Sequence, residues 1–231
     1  MKILNYIPSA AIVLLTACTS APDSDQAETS EAQEVGEATG DKTLNIDPQS
    51  STVEWIGTKV SGYHVGSVKV KEGELRLKDG QITGGRFVLD MQSLAITGPK
   101  GSSEQGNQKL LGHLRSDDFF MVENYPDATF EITEVRLYDG GAVMEEDDPR
   151  QAEISKYKVT NPTHTVGGNL TIRETTKHIE FPAHITISGK SAEAKAKFNI
   201  NRQDWNINYP GSPDDLIRDD VHLGIALRAT E

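Results

Sequence analysis

The chain has a single cysteine, Cys18, among 231 residues, so no disulfide can form within it. Its six histidines (His64, His113, His164, His178, His184 and His222) show neither HExxH nor HxxxH spacing. Without a second cysteine, they offer no metal-ligand set. Basic residues are in deficit: 23 Lys and Arg against 35 Asp and Glu give a net charge of −12. No basic stripe remains to neutralise phosphates, which argues against a nucleic-acid partner. No G-x-S-x-G elbow occurs. Gly98-Pro99-Lys100-Gly101-Ser102-Ser103 lacks the order of a phosphate loop, and no properly capped helix follows it closely, so it reads as a flexible loop. The pairs Asp117-Asp118 and Asp219-Asp220 alternate faces or cap turns. With no nucleophile, carboxylate pair or metal site assembled, the chain is expected not to be an enzyme and to need no cofactor.

The N-terminus is short and apolar. Lys2 is followed by Ala10-Ala11-Ile12-Val13-Leu14-Leu15 and then by Leu15-Thr16-Ala17-Cys18. The apolar stretch falls short of the ~20 residues that span a bilayer. The pattern predicts a bacterial lipoprotein signal over residues 1–17, with lipidation at Cys18. Several acyl chains on one cysteine anchor stably where one chain would not. Thr19, rather than Asp, follows Cys18; under the enterobacterial sorting rule that points to the outer membrane, facing the periplasm. Residues 18–42 carry seven acids with no aromatic, and Val35 is their only large aliphatic. Such a segment is expected to be a disordered tether with an r.m.s. span of roughly 25–30 Å. Residues 43–231 then form one domain, with 21 basic and 28 acidic residues and a net charge of −7.

Within that domain the period is two. Ala192, Ala194, Ala196, Phe198 and Ile200 alternate with polar residues, as do Val221, Leu223, Ile225, Leu227 and Ala229. Further rows are Val166, Gly168, Leu170 and Ile172; Ile179, Phe181, Ala183, Ile185 and Ile187; Ala128, Phe130 and Ile132; and Phe87, Leu89 and Met91. Val53 and Trp55 start a first strand. Val68, Val70, Leu75 and Leu77 suggest a hairpin turning near Glu72-Gly73. Each row predicts a strand with one dry face. The parity of His178 and His184 is opposite to the row at 179–187, which puts both on the solvent side. Helical spacing is confined to residues 107–120, where Leu110, Leu111 and Leu114 align and Ser116-Asp117-Asp118 can cap a second short turn bearing Phe119 and Phe120. Residues 142–156, with Glu145-Glu146-Asp147-Asp148-Pro149, read as an acidic surface insertion. About eight amphipathic strands with little helix predict an antiparallel all-β barrel, closed to remove its edges.

Several runs resemble a known family. His113-Leu114-Arg115-Ser116-Asp117-Asp118-Phe119-Phe120 with Tyr125-Pro126-Asp127-Ala128-Thr129-Phe130 is similar to the signature of YceI-like proteins. So are Gly168-Asn169-Leu170-Thr171-Ile172 with Thr176-Lys177, and Ile200-Asn201-Arg202-Gln203-Asp204-Trp205. The resemblance covers residues 44–230. It implies an extended, lipocalin-like, eight-stranded antiparallel barrel, one or two short helices near its mouth, and a long apolar cavity for a polyisoprenoid or similar amphiphilic chain. Glu174, His178 and Asn206 depart from the Gly, Pro and Gly that similar proteins usually carry; Asn is well suited to keep a left-handed turn at 206.

These readings converge on an envelope protein that holds an isoprenoid, quinone-like or fatty-acyl ligand. The alternative is a non-catalytic structural or stress module whose barrel is filled by its own side chains. Candidate wall residues are Trp55, Phe87, Leu89, Phe130, Ile132, Leu170, Ile172, Phe181, Phe198 and Trp205. Phe119 and Phe120 are candidate gates, and Arg202 either meets a ligand oxygen or pairs with a carboxylate such as Asp204. The expected partners are a hydrophobic lipid and, through Cys18, a membrane. The oligomeric state stays open, a homodimer included.

Overall fold

A computed structural model describes residues 20–141 and 148–231. Cys18 and Glu145-Glu146-Asp147 of the acidic insertion lie outside the described residues. Eight long antiparallel strands form the frame. They are β3 (Thr52–Lys59), β4 (Gly62–Lys78), β5 (Gln81–Gly98), β6 (Asp127–Leu137), β7 (His164–Ile172), β8 (Thr175–Ser188), β9 (Ser191–Asn201) and β11 (Asp215–Thr230). Each pairs with the next, β9 pairs with β11, and β11 returns to β3, so the barrel closes. β2 (Lys42–Ile46) prolongs the β3 stave between β4 and the end of β11. β10 (Gly211–Ser212) folds back on the start of β11. Closure pairs each of these strands on both sides over part of its length and so removes most of the free edge that an open sheet would expose.

The hairpin expected at Glu72-Gly73 is absent: β4 runs through it. Its inward apolar positions are even-numbered at Val68 and Val70 and odd-numbered at Leu75 and Leu77. A register shift between Val70 and Glu72 absorbs the change of phase. β6 changes phase in the same way, from Ala128, Phe130 and Ile132 to Val135, across a shift between Ile132 and Glu134. A bulge inserts one residue and bends the strand without ending it.

Helix α1 (Glu104–Arg115) sits over one end of the barrel. Ser103 accepts a hydrogen bond from the Gly106 N–H at 3.1 Å, so the loop expected to be uncapped ends in a helix cap. Leu114 is buried, and Ser116 closes the helix. A 3-10 turn, Arg202–Trp205, closes the same end, with Asn206 left-handed at φ 58°. The second short helix, α2 (Gln151–Ile154), lies away from the mouth. Ser155, which follows it, accepts from Lys197 on the outside of β9, and Tyr157 packs on His222.

The acidic tether is corrected more sharply. Residues 22–31 are seated in the wall. β8 and β9 pair only from Ala183↔Ala196 to Ser188↔Ser191 and then diverge. Into that wedge goes β1 (Glu28–Glu31), antiparallel to residues 177–180 of β8. Ala27 N–H donates to the Asn199 carbonyl at 2.9 Å, and Asn199 N–H donates to that of Asp25 at 2.7 Å. Composition denied this segment a core of its own, but an open strand edge supplies partners that need only backbone. Ala27, only 4% exposed, is its one contribution to the main core.

The same strap overturns the solvent-side assignment of His178, which is 2% exposed. Its ring meets Ser30 of the strap and Gln33 just beyond it through Nδ1, and Thr133 through Nε2 at 3.0 Å. Asn169 exchanges two bonds with the Gln33 backbone. Parity placed His178 outside the barrel correctly; the covering segment removes it from water.

Candidate ligand-binding cavity

The inward faces of the strands line two neighbouring spaces that share wall residues. In the part of the barrel away from α1, Phe87, Phe130, Phe181 and Phe198 form a chain of rings. Phe181 and Phe198 stack at 4.2 Å, Phe130 meets Phe181 at 5.8 Å, and Phe87 stacks on Phe130 at 6.3 Å. These rings, with Ile132, leave only about 120 Å³ of almost purely apolar space. Toward the mouth the barrel opens into a cavity of about 790 Å³. Leu89, Leu170, Val53 and Leu223 border both spaces, so the small chamber is the floor of the large one. A pocket of this size matches the ~300–1,000 Å³ typical of sites for small organic ligands.

Trp55, Ile172, Phe119, Phe120, Arg202 and Trp205 line the upper cavity with Leu89 and Leu170. The sequence-derived wall residues are thus all on the inner surface, but they divide into floor and chamber. Trp205 is fully buried and donates its Nε1 hydrogen to the Leu170 carbonyl at 2.9 Å, which holds the 3-10 turn against β7. Its indole is a wall with no spare donor.

Arg202 is spoken for. Its guanidinium donates to the carbonyls of Arg218 and Ile207 and to Asp219 Oδ1 at 2.9 Å, and the residue is 5% exposed. Burial pulls its pKa below the usual arginine value, and Asp219 opposes that shift. The carboxylate partner is Asp219, across the β11 approach, instead of Asp204. Three of its five N–H donors are engaged in this way, and Arg202 braces the mouth.

The rim gathers groups that periodicity did not single out. Phe119 lies 5.0 Å from the His113 ring and 5.6 Å from Tyr209, and His113 and Tyr209 meet edge-on at 4.6 Å. His113 also bonds Asp118 at 2.8 Å, and Arg173 donates to the Phe119 carbonyl at 3.3 Å. Phe119 is 6% exposed and fixed; Phe120 is the more open of the two. On the opposite rim, Lys59 and the Ser61 N–H both bond Asp215 and hold its carboxyl down to about 2. Met91, Leu94, Ile207, Ile217 and Val221 belong to the rest of the apolar lining. Ile207 and Tyr209 lie in an irregular stretch without period, so no alternation could have marked them.

Among the described residues no cluster of three or more His, Cys, Asp or Glu side chains is placed to hold a metal. What the geometry can do is bury a long apolar body and leave its end near a sparse polar rim.

A family model for the YceI-like domain matches residues 44–229. The chain belongs to the YceI-like family. Among solved structures, this YceI-like barrel is similar to Burkholderia cenocepacia BcnA, with a TM-score of 0.58 and 17% identity over 80% of this chain and 99% of that one. It is also similar to a polyisoprenoid binding domain from Saccharophagus degradans implicated in plant cell wall breakdown, with a TM-score of 0.51, 13% identity and 81% and 97% coverage. A Campylobacter jejuni YCEI protein aligns at a TM-score of 0.45 with 17% identity, over 87% and 89% of the two chains. No curated protein matches the sequence. At these identities the structural likeness establishes the fold that YceI-like proteins share.

Proposed function

We propose that the protein holds an amphiphilic lipid, an isoprenoid, quinone-like or fatty-acyl chain, inside the barrel, as a non-catalytic carrier or store in the cell envelope. The observation that carries this reading is the apolar chamber of about 790 Å³ beneath α1, above a floor already filled with aromatic rings. A solid barrel would have no use for such a space, because each unfilled volume costs packing energy. Membership of the YceI-like family and the name of the Saccharophagus degradans domain support an isoprenoid among these chains. Val60, Tyr63 and Leu216 expose apolar surface beside the lining residues Lys59, Asp215 and Ile217, which suits exchange of such a chain with a lipid surface. In this reading Cys18 carries the lipid anchor and the protein resides at the outer membrane, on the periplasmic side.

Native mass spectrometry on protein purified without detergent tests the reading. A co-purifying amphiphile of defined mass is the expected result. A barrel that is repeatedly empty and ignores added lipids would leave only the alternative of a non-catalytic structural or stress module. Incorporation of labelled palmitate, lost in Cys18→Ser, tests the anchor separately.

A further inference from the structure

The strap is fastened to the barrel wall from its first residues. The Asn199 side chain donates to the Pro22 carbonyl at 3.0 Å, Ser24 donates to the Tyr157 carbonyl, and Lys158 pairs with Asp23 at 3.2 Å. Tyr157 packs edge-on against His222, the β11 residue opposite Asn199. Tyr157 and Lys158, which follow α2, thus clamp the root of the strap over β9 and β11. Cys18 stands four residues before Pro22, and four residues of chain reach at most ~14 Å. A free tether running from 18 to 42 would let either end of the barrel face a membrane. A leash rooted at Pro22 does not.

Distances along the strands decide which end it serves. β9 ends at Asn201, ~7 Å beyond Asn199 toward the mouth. Its other end, Ser191, lies ~26 Å from Asn199 along the strand, or ~20 Å along the barrel axis at the usual tilt. A leash of ~14 Å passes the mouth and falls short of the far end. The mouth also carries an exposed apolar tip of Val60, Tyr63 and Leu216. The Val60 N–H donates to the Leu216 carbonyl at 3.1 Å, and Tyr63 stands across the β3–β4 turn, paired with Thr58. Tyr63 precedes His64 and Leu216 precedes Ile217, both cavity-lining, so strand alternation turns Tyr63 and Leu216 outward. Tyrosine, apolar in body and polar at its tip, suits a membrane–water boundary. Among the described residues, the opposite end exposes Leu137, a single apolar side chain of an ordinary kind.

We infer that the barrel docks mouth-first on the membrane that holds its anchor, with Val60, Tyr63 and Leu216 entering the headgroup layer. This rests on the anchored-carrier reading and adds the face that meets the lipid. The surface it fits is a neutral one. Lys59 pairs with Asp215 and Arg202 with Asp219, while Asp214 and Asp220 flank Arg218, so the mouth has no positive excess to offer anionic headgroups. Three partly exposed side chains make a weak contact alone. The short leash holds them at the surface at a high effective concentration. Docked in this way, the rim of the cavity lies against lipid, and a chain leaving the bilayer need not cross water.

Lipidated protein in vesicles of phosphatidylcholine and phosphatidylethanolamine, some of whose acyl chains carry a nitroxide, tests this. With Cys18 acylated, an introduced cysteine is the one free thiol. A small apolar fluorophore attached at Val60→Cys should be quenched by the nitroxide, and the same fluorophore at Leu137→Cys should not. A ten-residue Gly-Ser insertion after Ser20 lengthens the leash without touching the barrel or the strap. It should lower the docked-to-free ratio read at the Val60 label by about sixfold, following the −3/2 power of leash length. Suppose the protein floats with the vesicles. Then absent quenching at Val60, quenching at Leu137, or quenching unchanged by the insertion overturns mouth-first docking while the anchor stands. Protein that does not float lacks the anchor, and the anchor reading falls together with this inference. Co-purification of a ligand reports on the cavity independently of either result.

Discussion

Gly66 and Arg202 show how single positions shape the cavity. At Gly66 the missing side chain is the space that Trp55 fills, so Gly66→Ala must displace the indole or the Ala95 carbonyl, which a Cβ would meet at 2.2 Å. We expect a lower melting temperature and a shifted Trp55 emission, with Trp205, fully buried, as an unchanged reference. Unaltered fluorescence and stability would show that the ring does not rest there. Arg202→Gln removes the donors to two carbonyls and to Asp219. It should cost about 1–3 kcal/mol in denaturant unfolding and leave lipid preference unaltered; a change of preference without loss of stability would return Arg202 to ligand contact. His222 supplies a pH dependence. It is buried on the outer face between Asn199, Tyr157 and Lys197, and burial first, then Lys197, lowers its pKa to about 4. The unfolded chain, with an ordinary histidine pKa near ~6.5, binds that proton first. The contribution of neutral His222 is thus complete above about pH 6.5 and is lost as the pH falls toward 4. Melting temperatures should decline across that window, and His222→Gln should flatten part of the decline; equal slopes in both proteins would rule His222 out as the cause.

At the scale of elements, the strap of residues 22–31 carries the most weight. It occupies the wedge where β8 and β9 part, and only Ala27 of the segment is buried as a core residue. Ala27→Asp would set a charge in the core, so it should release the strap. Hydrogen exchange should then accelerate at Glu28–Glu31 and at the facing β8 residues 177–180, while the β4–β5 amides keep their protection. Unchanged exchange would mean that the strap is held by something other than Ala27. This element was not legible in the sequence, because its bonds are backbone bonds that any composition can make, and its acids remain solvated on the outer side. The long strands were legible, since alternation reports burial directly. Where alternation changed phase, as at Val70 and Leu75, it was equally consistent with a turn or a bulge, and only pairing to β5 decides for the bulge. The wall residues on strands could be read for the same reason, whereas Trp205, on the 3-10 turn, lies outside any alternating row. What separated floor from chamber could not: Phe181 stacking on Phe198 depends on the register between strands and not on the pattern within either one.

In the whole molecule, the barrel is narrowed by its own rings away from α1 and hollow beneath α1. That asymmetry is what a carrier needs, since the floor sets how far a chain can enter and the mouth meets its head. If the hollow is the binding site, affinity must follow the length of apolar chain that fits inside. A calorimetric series of linear isoprenoid alcohols, from C10 upward, measures this most directly. Affinity should rise by about fourfold for each additional buried methylene, the equivalent of ~0.8 kcal/mol, and then level off once the chamber is full. Affinity independent of chain length, in a protein shown to be folded, would contradict the account.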